Sequence, residues 1–117
     1  MFKFVLTYPE KLEHDQMRSI LSKLRYYPFE WLKEQNVLLA NISTSYNEVE
    51  LPDKTQYECI LEFDLEPECY GGPDPVYHQK CKNIIAKFGQ DIVVDRKYCD
   101  ILEVDGQLPD SYYIEEI

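Results

Sequence analysis

The chain has 117 residues, 44% of them hydrophobic and 14% aromatic, which is enough for one domain with a single core and too apolar for a disordered segment. Its formal net charge of -10 disfavours direct binding to phosphate backbones and to anionic membranes, and favours encounters with basic partners. No stretch is long and apolar enough to span a bilayer. The opening MFKFVLTYPE lacks the extended apolar core and cleavage site of a secretory signal, so a cytoplasmic protein with reduced cysteines is expected.

Phe2, Phe4 and Leu6 alternate with Lys3, Val5 and Thr7, a pattern that predicts an opening strand ended by Pro9. In the next segment, KLEHDQMRSILSKLRYY, Met17, Ile20, Leu21 and Leu24 fall at helical spacing. Acidic residues gather at its start and basic ones at its end, as the helix dipole favours, and Pro28 is expected to mark the exit. FEWLKEQ (29–35) reads equally as a short strand or a helical turn. NVLLANIS (36–43) is apolar on both alternating faces and predicts a strand covered on both sides. TSYNEVELPDKT (44–55) is polar and reads as a loop or turn.

QYECILEFD (56–64) alternates cleanly. Tyr57, Cys59, Leu61 and Phe63 predict a buried face, and Glu58, Ile60, Glu62 and Asp64 a solvated acidic one. LEPECYGG then turns the chain, and Asp74-Pro75 supplies an N-cap and a first-turn proline. A second helix follows, with Tyr77, Cys81, Ile84, Ile85 and Phe88 as its apolar stripe and Gly89 as its stop. DIVVDRKYCDILEV (91–104) predicts one long strand or two, and residues 105–117 form an acidic, tyrosine-containing tail that docks in part. Together these elements predict an α+β domain over residues 1–117. It would have a mainly antiparallel sheet of four to five strands with two helices on one face, with a ferredoxin-like or split βαβ arrangement as the first guess.

No motif announces a reaction. The four cysteines are separated by nine, eleven and seventeen residues, so none forms the close pair of a zinc site. His78 and Cys81 lie at i, i+3, with Asp74 one turn before and Cys69 upstream, but no nucleophile signature surrounds them. Gly71-Gly72 belongs to no phosphate-binding loop, and nothing in the chain calls for a cofactor.

The placement of charge says more. Residues 1–36 carry net +1, 37–70 net -7, 71–97 net +2 and 98–117 net -6, so the acidity sits in two segments. If those segments are neighbours in the sheet, they form one acidic surface. The expected contact set is Glu58, Glu62, Asp64, Glu66, Glu68, Asp100, Glu103 and Asp105, with Tyr70, Tyr112 and Tyr113 as aromatic anchors.

In size, charge and the absence of a catalytic signature the chain resembles the immunity proteins that neutralise bacterial toxin nucleases, and phage-encoded inhibitors of nucleic-acid-targeting defence enzymes. That resemblance implies a non-catalytic protein whose partner is a basic, nucleic-acid-acting enzyme. The competing expectation is a small enzyme or ligand domain built on His78 and Cys81.

Overall fold

The computed structural model describes residues 1–66, 75–91 and 109–117, without the side chains of Pro75, Tyr77, His78 and 89–91. Its elements run β1 (Phe2–Tyr8), α1 (His14–Glu34), β2 (Leu39–Glu50), β3 (Thr55–Leu65), α2 (Pro75–Asp91) and β4 (Ser111–Glu116). The strands form an antiparallel sheet in the order β2-β3-β1-β4. The fold is α+β, with four antiparallel strands and two helices among the described residues.

Phe2, Phe4, Leu6 and Tyr8 of β1 and Cys59, Leu61, Phe63 and Leu65 of β3 share one sheet face. Ile20, Leu24 and Leu32 of α1 and Cys81, Ile85 and Phe88 of α2 complete the same buried cluster, so both helices cover that face. The two-residue and 3.6-residue periods read from the sequence thus meet in one core.

α1 opens with a capping box, in which the Glu13 backbone N–H donates to Gln16 Oε1 at 2.8 Å. It does not end at Pro28, as expected from the sequence; Pro28 is buried inside the helix, and 29–35 lies within or just past it. The proline removes one backbone hydrogen bond, a loss of about 3 kcal/mol in an exposed helix. Here it falls on the apolar row Ile20, Leu24, Pro28, Leu32, whose burial holds the helix together across it. The true stop is Asn36, at φ 62°. The Val37 N–H donates to Leu32 O at 2.9 Å and the Asn36 N–H to Lys33 O at 3.0 Å, the paired bonds of a Schellman motif.

β2 is also longer than its sequence suggests. Residues 44–50, expected as a loop, extend the strand to Glu50, and only the turn at 51–54 separates it from β3. Pairing with β3 supplies hydrogen bonds that this polar stretch could not secure alone. The register shifts between Ala40 and Ser43, so Asn41 and Ile42 together oppose Phe63. Asn41 takes φ 53° in this bulge, and its Nδ2 donates to Asp64 Oδ2 at 3.2 Å. The extra residue turns Ile42 toward the core, where simple alternation would have put it on the opposite face from Leu39. Asn41→Gly is therefore expected to leave stability within about 0.5 kcal/mol, whereas Asn41→Val costs about 1–2 kcal/mol in urea unfolding.

α2 begins at Pro75 as expected and continues two residues past Gly89, to Asp91. The expected strand over 91–104 lies, apart from Asp91, outside the described residues. Part of the expected tail is a strand: β4 pairs along β1 from Ser111 to Glu116.

Candidate functional site

The sheet face away from the helices carries the candidate site, and strand register places each residue on it. One row runs Glu62, Lys3, Glu115; the next Ile60, Val5, Tyr113; the third Glu58, Thr7, Ser111. The two acidic strands are not neighbours, contrary to the condition set above, because β1 lies between them. Adjacent strands are about 4.8 Å apart, so Glu62 and Glu115 flank Lys3 across roughly 10 Å of sheet.

This face is less solvated than an exposed strand face should be. Glu58, Glu62 and Asp64 are half-buried, while Ile60 is 2% exposed and Val5 0%. Val5 and Ile60 stand opposite each other and lie outside the cluster beneath the helices, giving the outer face an apolar centre of its own.

The expected contact residues divide accordingly. Glu58 and Glu62 lie on the outer face. Asp64 is engaged locally, accepting from Asn41 Nδ2 and standing 3.4 Å from the Met1 ammonium. Glu66 follows β3, its N–H donating to Leu38 O at 2.9 Å. Tyr113 is 42% exposed on the outer face, but Tyr112 points the other way and packs against the core. Glu68, Tyr70, Asp100, Glu103 and Asp105 lie outside the described residues, as do Cys69, Asp74 and Cys99.

The sequence reading did not single out Glu115, although the period of two in SYYIEE puts it beside Tyr113. It also passed over Lys3, the base between two acids. Glu116 faces the helices instead and holds Lys82 of α2 at 3.0 Å.

The thiols stand apart from this surface. Cys59 and Cys81 are buried in the core, and burial pushes the Cys59 thiol up to about 12. A thiol so desolvated is a poor nucleophile at neutral pH. The side chain of His78 lies outside the described residues, so its relation to Cys81 does too.

At the far end of the sheet, the Leu12 N–H donates to the Tyr46 hydroxyl at 3.1 Å, and Tyr46 stacks on Tyr57 with ring centroids 6.4 Å apart. Burial raises the Tyr46 phenol above the usual tyrosine range, against the pull of that donated hydrogen bond. These contacts tie the segment before α1 to the β2-β3 hairpin.

Among the described residues, no helix is long and apolar enough to cross a membrane. No family model, curated protein or solved structure matches this chain.

Proposed function

We propose that the protein is a small, acidic, non-catalytic binding protein that docks on a basic surface of a partner. The reading that fits best is an immunity protein neutralising a bacterial toxin nuclease. The observation that carries it is the outer sheet face, where Glu62 and Glu115 flank Lys3, Glu58 lies two rows along on the same face, and Tyr113 is exposed between those rows. Acidic side chains at such a rim speed encounter with a basic enzyme, and an exposed aromatic supplies contact area once the two have met. A nuclease site, basic because it holds phosphates, has complementary charge. A phage-type inhibitor of a nucleic-acid-targeting defence enzyme would use the same surface in the same way.

Asp64 takes a smaller part in this proposal, since its carboxylate already serves Asn41 and Met1. The direct experiment is stopped-flow association with a panel of basic bacterial nuclease toxins, together with a nuclease-inhibition assay. The triple variant Glu58→Gln, Glu62→Gln, Glu115→Gln should associate roughly tenfold more slowly at low salt and show a flatter salt dependence, with less change in dissociation. Unchanged association and salt slope would overturn the reading.

A further inference from the structure

One edge of the sheet borders a groove in the helix layer. Among the described residues β2 is an edge strand, twelve residues long, and Ser43, Ser45 and Asn47 are exposed along it. Proteins commonly guard such edges with lysine, proline or a bulge; β2 has no lysine or proline, and its bulge lies at one end, leaving Ser43 to Glu50 in regular register. Beside it, Ser22, Arg25, Tyr26, Phe29 and Glu30 recur at i, i+3, i+4, i+7, i+8 along α1. With Ile42 of β2 they line an open cavity of about 420 Å³. The bulge at Asn41 makes this possible, because it turns Ile42 toward the helices.

We propose that β2 accepts an extended, basic segment of another protein as a further strand, and that one apolar side chain of that segment enters the groove at Ile42, Tyr26 and Phe29. Backbone pairing would provide affinity and the groove selectivity, as in other strand-addition complexes. The charge of the edge favours a basic occupant: β2 and its turn bear Glu48, Glu50 and Asp53 against Lys54 alone. Glu48 is paired to Lys11 at 3.6 Å, and Arg25 and Glu30 both line the groove, which leaves Glu50 and Asp53 as the carboxylates a basic segment would meet. A second copy would instead bring together two chains of net charge -10. The edge borders the surface proposed above, since Ser43 and Asn47 of β2 stand opposite Glu62 and Glu58, but pairing along the far side of β2 and the groove beneath it on the helix side use none of those carboxylates.

The test uses the full chain and a short acetylated peptide alternating lysine and valine, with leucine at its centre. Amide chemical shifts and hydrogen exchange are followed by NMR. Half of the β2 amides pair with β3 and the other half point to the edge, so alternate amides over residues 44–50 should gain protection. Replacing the central leucine by alanine, or Tyr26→Lys in the protein, should each weaken binding roughly tenfold or more. The Glu58, Glu62, Glu115 glutamine variant should keep the alternating protection, which separates this site from the outer face. The proposal is overturned by shifts confined to the outer face, by equal binding of a glutamate-for-lysine peptide, or by no binding at millimolar peptide. It is equally overturned if β2 protection in the free protein rises with its own concentration, which would identify a second copy as the occupant.

Discussion

Phe4→Ala is expected to lower unfolding stability by about 3–5 kcal/mol, a large part of the roughly 5–15 kcal/mol available to a domain of this size. Phe4 is 0% exposed at the middle of β1. Its ring lies 6.1 Å from that of Phe88 on α2, and Phe88 lies 5.0 Å from Trp31 on α1. Phe4 thus underlies the Phe88 ring through which the sheet meets both helices, and its removal leaves a cavity beneath that contact. Phe4→Leu should cost about a third as much, and Tyr113→Ala on the outer face no more than about 0.5 kcal/mol. Urea unfolding of the three variants checks this order, and a loss below 1 kcal/mol for Phe4→Ala would contradict the packing described.

The second large effect is loss of stability at alkaline pH. Cys59 is raised from an ordinary value near 9 to about 12 by burial, and Tyr8 is raised well above the tyrosine range by burial and by Cys59 beside it. In the unfolded chain the thiol ionises near pH 9, while the folded protein keeps it protonated. The folded state therefore binds more protons above pH 9, and its stability falls as pH rises from there toward 12. The slope approaches about 1.4 kcal/mol per pH unit for one group, giving a loss of about 1–2 kcal/mol between pH 8.5 and 10.5. Cys59→Ala should show a lower starting stability but a shallower decline, since no buried thiol is left to ionise on unfolding and Tyr8 loses an unfavourable neighbour. Parallel declines in the two proteins would refute the assignment. In the same experiments, a thiol reagent at pH 8 should modify Cys59 and Cys81 only as the protein unfolds.

Much of this architecture was legible from spacing alone. Alternation in FKFVLT and QYECILEFD identified the buried faces of the two central strands, and those faces are the floor of the core. The stripe from Met17 to Leu24 and the Asp74-Pro75 start located both helices. The errors occurred where a local rule met a tertiary partner. Pro28 is a helix breaker by propensity but sits in a buried row, and the αL turn at Asn36 ends the helix instead. Residues 44–50 look like a loop when read alone, because their partner strand is needed to satisfy them.

The candidate surface divides along the same line. Net charge, its concentration in two segments and the face assignment of Glu58, Glu62 and Asp64 follow from composition and a period of two, both of which are local properties. That Lys3 separates Glu62 from Glu115, that Tyr112 is in the core while Tyr113 is on the outer face, and that Asp64 is engaged by Asn41 depend on strand order and on one inserted residue. Strand order is chosen by which apolar faces can be buried together over long separations in sequence, and no window of a few residues contains that information.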